Sequence, residues 1–178
     1  MTAINRTPTN TNLLHPNKFL LSFQRAPNLQ FFCQSVVVPG LSLGEVPRNS
    51  PFVDLYSPGE KAIYDLLNIT FLVDEELTSW LEIHDWIRAL TFPTEFTEFE
   101  NLKNMNPAFI NRGSLPQYSD ATLTVLSSSN TPYFRFTFKD LFPLSLTSFS
   151  MSAADTPDNI ITADAAFRFA YYNVEKLF

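Results

Sequence analysis

Residues 121–150 read ATLTVLSSSNTPYFRFTFKDLFPLSLTSFS, and this stretch decides the fold. An apolar run, Ala121 to Leu126, leads into the polar turn Ser127-Ser128-Ser129-Asn130, and a second run follows from Tyr133 to Phe138. Along the second run Phe134, Phe136 and Phe138 alternate with Arg135, Thr137 and Lys139. A period of two places alternate side chains on opposite faces of a sheet. The sequence therefore predicts paired strands with one face buried and the other turned to solvent or a polar partner. Asp140-Leu141-Phe142-Pro143 punctuates the second strand, and Leu144 to Met151 predicts one more short strand. The stretch holds no nucleophile, ligand cluster or phosphate loop. It reads as architecture.

Outward from this stretch, Lys18 to Gln24 and Leu29 to Val38 read as strands. The short Arg25-Ala26-Pro27-Asn28 connection predicts that they form an antiparallel hairpin. Pro39-Gly40 stops the second of them. Ala62 to Val73 predicts a further strand, with Ile63, Leu67, Ile69, Phe71 and Val73 on one parity and Asp65 breaking the row. Ala163 to Val174 predicts the last. One helix is expected over residues 75–91, with Asp74 as N-cap and Glu75 and Glu76 in the first turn, where the dipole favours negative charge. Helical periodicity sets Leu77, Trp80, Leu81, Ile83, His84, Ile87 and Leu90 on one broad face, with Glu82 and Asp85 opposite and Pro93 as the stop. The expected fold is mainly β, of the α+β type: an antiparallel barrel or sandwich with one packed helix. It occupies residues 17–178 as a single domain behind an N-terminal arm, residues 1–16.

Two segments break the strand pattern. In residues 41–59, Pro47, Pro51 and Pro58 recur with Gly44 and Gly59, which reads as a long loop. A loop of that length is uncommon in a compact domain unless it is functional. Val46, Phe52, Val53, Leu55 and Tyr56 are poorly placed in water there. Either the loop packs on a neighbouring subunit, or it packs on itself. Phe92 to Gln117 is expected to be mostly loop, with an acidic cluster of Glu95, Glu98 and Glu100.

Aromatic residues make up 15% of the chain and charged residues 17%, against about 25% charged in a typical soluble domain. Bulky apolar surface with few charges to cover it points to burial between subunits, the alternative being a monomer with a generous core. The net charge of -6 and pI of about 4.8 exclude a general attraction to nucleic acid or anionic membrane. The single cysteine, Cys33, cannot form an internal disulfide, which fits a reducing compartment and an inert buried thiol. The N-terminus lacks the apolar run of a signal peptide, and no segment reaches the roughly 18 apolar residues of a membrane helix. The chain is expected to be made in the cytosol.

No catalytic or metal-binding constellation emerges. His84 is flanked by Glu82 and Asp85, but such near neighbours on a helix do not share a face. The other histidine, His15, is far away in the N-terminal segment, and a zinc site needs three or four ligands. Capping accounts for Asp74, Glu75 and Glu76. The serine run has no partner base and no G-x-S-x-G setting, and there is no phosphate-binding glycine loop. Neither enzymatic activity nor a cofactor is expected.

The chain resembles the tail tube proteins of contractile-tailed bacteriophages. The likeness runs from Asn17-Lys18-Phe19 through Phe31-Phe32-Cys33-Gln34 to Val38-Pro39-Gly40, and through Glu45-Val46-Pro47, Phe52-Val53-Asp54 and Gly59. It continues in Ile69 to Glu76 and Trp86, then in Asp120 to Val125, Asp140-Leu141-Phe142-Pro143 and the last strand near Glu175. The resemblance implies a β-barrel or sandwich subunit with one helix outside, assembling as hexameric rings that stack into a tube. DNA would pass through that tube without sequence-specific binding. The sheath surrounds it, and the baseplate hub and tail terminator contact its ends within the virion. The 41–59 loop matches the element that reaches the adjacent ring. Met1 to His15 matches no family motif, and baseplate tube initiators and tail completion or terminator proteins share the fold, so those roles stand beside that of a tube subunit. Outside this class, a monomeric β-sandwich could bind carbohydrate through Trp80, Trp86 and Tyr133. The acidic balance suggests a tube lumen that repels phosphate. If Arg135 and Lys139 face it, neighbouring carboxylates must offset them.

Overall fold

Pro132 to Leu146 form one strand that belongs to two sheets, and the rest of the molecule is arranged around it. The computed structural model describes residues 12–91, 97, 117–154 and 159–177. In chain order the elements are β1 (Phe19–Phe23), α1 (Pro27–Phe32), β2 (Cys33–Val37), β3 (Leu41–Arg48), β4 (Leu55–Tyr64) and β5 (Leu67–Leu72). Then come α2 (Thr78–Thr91), β6 (Ser119–Leu126), β7 (Pro132–Leu146), β8 (Thr162–Arg168) and β9 (Tyr171–Lys176). All pairings among these strands are antiparallel. The first half of β7 lies between β6 and β9, with β1 beyond β6. The second half pairs with β8, followed by β5 and β2.

The alternation that predicted β7 is present up to Phe138, which is fully buried. There the period breaks. Asp140 adopts a left-handed backbone, φ 54°, a conformation that Asp tolerates better than most residues. The extra residue makes a bulge, so Leu141 and Pro143 rejoin the buried side. No separate strand forms over Leu144 to Met151: Leu144 to Leu146 are the end of β7, and residues 147–151 are irregular. Likewise the strand expected over 163–174 is two, because Phe169 and Ala170 turn the chain from β8 in one sheet to β9 in the other. The core between the sheets holds Phe71, Leu123, Phe138, Phe167 and Trp86 with almost no exposure.

The hairpin expected from the first two strands does not form. β1 pairs with β6 and β2 with β5, and α1 lies between them. Pro27, read as a turn residue, opens this helix, where its missing N–H costs nothing. The free amides of its first turn are taken by Glu82 of α2. Its Oε2 accepts from Leu29 N at 3.2 Å, and its Oε1 accepts from Asn28 Nδ2 at 2.9 Å. Desolvation raises the Glu82 carboxyl above its usual range against the opposing pull of these hydrogen bonds. Glu82 was expected to face solvent, and no periodicity argument reveals a cap supplied from another helix.

Helix α2 begins at Thr78, not at residue 75. Leu77 has φ 57°, which no α-helix can contain, and Glu75 and Glu76 lie outside the first turn. Asp74 remains the cap. Its carboxylate accepts from Thr78 N at 3.1 Å and Ser79 N at 3.0 Å, and also from the Thr78 and Ser79 hydroxyls. The face turned to the core is Ser79, Ile83, Trp86 and Ala89, flanked by half-buried Trp80, Ile87 and Leu90. This corrects the expected stripe: Leu77 precedes the helix, Leu81 is exposed, and His84 lies flat on Trp80 at 4.9 Å with Nδ1 3.0 Å from Asp85. Small residues, Ser79 and Ala89, let the helix approach the sheets closely, and a hydrophobicity count gives them little weight. Trp86 donates through Nε1 to Gln117 O at 3.3 Å, and the Arg25 guanidinium lies 5.2 Å over its ring. Burial lowers Arg25 to about 10. Cys33 starts β2 and is only half-buried, yet burial pushes its thiol up to about 11, so it stays protonated at neutral pH.

Desolvation raises Asp74, but the hydrogen bonds from Thr78 and Ser79 together outweigh it and hold the carboxyl well below its usual range. A depressed folded value means that this stabilisation is fully present above the unfolded pKa of about 4 and is lost progressively as pH falls from there toward the depressed folded value. Asp74→Ala should cost about 1–2 kcal/mol at pH 7, the range for a lost cap. In chemical denaturation at pH 7 and pH 3, the gap between wild type and variant should shrink at the lower pH. An equal gap at both would disprove the carboxylate's part.

Candidate assembly interface

Residues 41–64, expected to hold a long loop, form a two-stranded ribbon. Among the described residues, β3 and β4 pair with each other and with no other strand. Proline hid the strand signal: Pro47 and Pro58 cannot donate to a ladder and are confined to edges. In a two-stranded ribbon both strands are edges, so both prolines are accommodated. The register shifts between Leu43 and Glu45, where Gly44 and Gly59 cross. A Cβ on Gly59 would lie 2.5 Å from Gly44 O, so only glycine permits this approach. The ribbon is rooted where Tyr64 meets Phe169 at 5.6 Å and Tyr172 at 5.3 Å, and where Asp65 N donates to Gly40 O at 3.1 Å.

The five predicted contact residues all lie on this ribbon, and all are exposed. The structure divides them. Val46 pairs with Ser57 and Arg48 with Leu55, so Val46 and Leu55 share one face. Tyr56 pairs with Pro47 and Pro58 with Glu45, which puts Tyr56 on the other face. Phe52, 98% exposed, and Val53 lie at the tip between the strands. The sequence reading missed Leu41, Leu43 and Ile63, which are equally exposed at the base of the ribbon. Strand alternation was the available signal, and the prolines obscured it.

A second surface is the outer face of the sheet made by β1, β6, β7 and β9. Registration aligns Ser22, Thr122, Thr137 and Asn173 in one row, and Leu20, Thr124, Arg135 and Glu175 in the next. Short hydroxyl side chains dominate it. Arg135 Nη1 lies 3.5 Å from Glu175 Oε2, and Lys139 Nζ lies 2.5 Å from Asp120 Oδ2. The carboxylates required to offset these two cations are therefore adjacent to them. Among the described residues, the strands β1, β2 and β9 of this sheet system each have one edge without a strand partner.

Among the described residues no group of three or more His, Cys, Asp or Glu could hold a metal ion. No helix of the described residues is long and apolar enough to cross a membrane. The acidic cluster of Glu95, Glu98 and Glu100 and the first eleven residues lie outside the described residues.

A shared strand between two antiparallel sheets, a packed helix and a projecting ribbon describe a recognisable architecture. The phage tail tube protein family matches residues 6–175. The chain belongs to this family. Over 172 residues it is 25% identical to the tail tube terminator protein of Enterobacteria phage T4, covering 93% of this chain and 90% of that one. A solved structure of the anti-feeding prophage baseplate, 6-fold symmetrised, superposes with a TM-score of 0.60 at 12% identity, over 93% of this chain and 97% of that one. The sheath/tube terminator of an extracellular contractile injection system superposes with a TM-score of 0.56 at 15% identity, over 93% and 99%. The fold is thus the tail tube fold, mainly β with short helices. This tail tube family member is a structural component of a phage tail and not an enzyme.

For such a subunit the exposed ribbon is the natural place to test assembly. Phe52→Asp combined with Leu55→Asp should leave the circular dichroism spectrum and melting temperature close to wild type, since both side chains are largely solvated. Sedimentation should show the loss of higher-order species. Normal assembly by the double variant would remove the ribbon from the interface.

Proposed function

We propose that this chain is the tube terminator of its tail: six copies form a ring that closes one end of the tube, next to the sheath. The observation that carries this reading is likeness to a protein named as a tail tube terminator over nearly the full length of both chains. Similarity in fold to a sheath/tube terminator supports it and motivates the sheath as partner. The 6-fold baseplate assembly that shares the fold motivates the copy number. That same baseplate likeness favours the second reading, a repeating tube subunit or an initiator at the other end.

The mechanism is mechanical. A head-to-tail ring gives the open edges of β1, β2 and β9 a route to backbone partners, and closing the sheet removes edges that otherwise invite uncontrolled pairing. The ribbon is the proposed contact between subunits or with the adjoining ring, through Val46, Phe52, Val53, Leu55 and Tyr56. The hydroxyl-rich sheet face is the proposed lumen wall. Its Arg135 and Lys139 are held by Glu175 and Asp120, so fewer cations are free to capture phosphates as DNA slides by.

Negative-stain microscopy of the purified protein should show isolated rings that attach to one end of preassembled tubes and halt growth. If the protein alone polymerises into long tubes, it is a tube subunit and the terminator role is lost. The lumen has its own test. Asp120→Asn with Glu175→Gln frees Lys139 and Arg135, while the new amide at position 120 keeps an oxygen for the Asp140 N–H, 3.4 Å from the present carboxylate. The variant rings should retard double-stranded DNA in a gel, with retardation lost as salt rises, whereas wild-type rings should not. Equal indifference of both proteins to DNA counts against this face as the lumen.

A further inference from the structure

The two sheets, joined through β7, stop one pairing short of a closed barrel. Every step of the order β1-β6-β7-β8-β5-β2 is antiparallel, so the end strands β1 and β2 run in opposite directions. They are also successive strands of the chain, separated by α1 and its short lead-in. Successive antiparallel strands with a short connection pair with each other by default. Here that hairpin would link the two ends of the order and close the barrel. Among the described residues it does not form, and both strands keep an open edge.

The residues themselves are suited to the hairpin. A five-residue loop over 24–28 sets Phe23 opposite Leu29, Leu21 opposite Phe31 and Phe19 opposite Cys33. Leu21 and Phe23 are buried in the core, and Phe19 and Cys33 pack against it. Pairing would thus carry Phe31, 82% exposed on α1, to the inner face. Helix α1 brings little stability of its own to oppose this. It has six residues, its N-cap Ala26 makes no side-chain hydrogen bond, and its last turn has no basic residue. What holds it is tertiary. Leu29 is wholly buried, and the Glu82 carboxylate accepts from Asn28 N at 3.4 Å, Leu29 N at 3.2 Å and Asn28 Nδ2 at 2.9 Å.

We propose that α1 is a wedge that keeps β1 and β2 from pairing with each other, and that Glu82 is the positioning residue that holds it. The competition is uneven in sequence distance. Glu82 lies 54 residues beyond Asn28, whereas the hairpin joins near neighbours and costs less loop entropy to close. A cap from α2 therefore has to outweigh a local alternative. The consequence is a choice of partner. A chain whose barrel closed on itself would have no β1 or β2 edge to offer, and it would persist as a folded monomer. With the wedge in place, both edges stay available to other copies. This consequence rests on the ring proposed above, whereas the wedge rests on the geometry of one chain.

Phe19→Cys in the full chain supplies a reporter, because a disulfide with the native Cys33 needs the two strands side by side. With Glu82 intact, both thiols should stay free under mild oxidation and rings should form. Adding Glu82→Ala should give an internal disulfide between positions 19 and 33 and abolish rings. Glu82→Gln, which keeps an acceptor oxygen, should do neither. Refolding the Phe19→Cys chain with oxidised glutathione tests closure without touching Glu82. Part of the product should be a disulfide-linked monomer that enters rings only after reduction. Rings from Glu82→Ala as abundant as those of wild type, or no internal disulfide in either experiment, overturn the wedge. If the wild-type chain forms no rings, the ring reading falls, and the disulfide alone then upholds or overturns the wedge.

Discussion

The whole arrangement depends on the continuity of β7 through Asp140. Phe138 and Leu141 both point into the core, three positions apart, which a strand of period two forbids. The left-handed residue between them adds the missing step and lets one strand serve two sheets. Asp120 holds this bend: Oδ1 accepts from Asp140 N, and Oδ2 takes Lys139 Nζ. One carboxylate thus fixes the geometry of the core and occupies a cation on the polar face. The architecture and the chemistry of the outer surface are coupled at a single side chain.

The molecule divides its surfaces by chemistry. The outer face of the β1–β6–β7–β9 sheet presents hydroxyls and two ion pairs, with little apolar material to adhere to a partner. Exposed ion pairs contribute little to stability. Their value here lies in keeping opposite charges together on a surface proposed to face a polyanion. The ribbon does the reverse, presenting leucine, valine, tyrosine and proline to solvent at the end of a stalk with glycines at its crossing point. A monomer gains nothing from such exposure, and an assembly gains buried area at each copy.

The sequence disclosed those parts of the fold in which one rule acts alone. Alternation identified β7 up to Phe138 and the inner row Leu67, Ile69 and Phe71, because burial on one face was the only demand on them. Where two rules met, the reading failed. Pro27 looks like a turn residue until the first turn of α1 is seen to need no N–H there. Pro47 and Pro58 read as loop because a two-stranded ribbon, in which both strands are edges, was not considered. The stripe on α2 was misplaced because Ser79 and Ala89 are buried for their small size, which periodicity of large apolar residues cannot register. Leu77 delayed the helix by a turn through its backbone angle, a property of tertiary context. All five proposed contact residues are exposed on the ribbon. Their division between two faces needed the register of β3 against β4.

That division bears on how one fold can serve at different places along a tail. A repeating subunit must match a copy of itself above and below, whereas a terminator must match on one side only. The two ribbon faces differ in chemistry: Glu45, Pro47, Tyr56 and Pro58 on one, Val46, Arg48, Leu55 and Ser57 on the other. Contacts made through one face can therefore vary separately from those made through the other, while β7 and its bulge stay unchanged. On this view the distinction between tube and terminator resides in a few exposed side chains, beyond the reach of fold comparison.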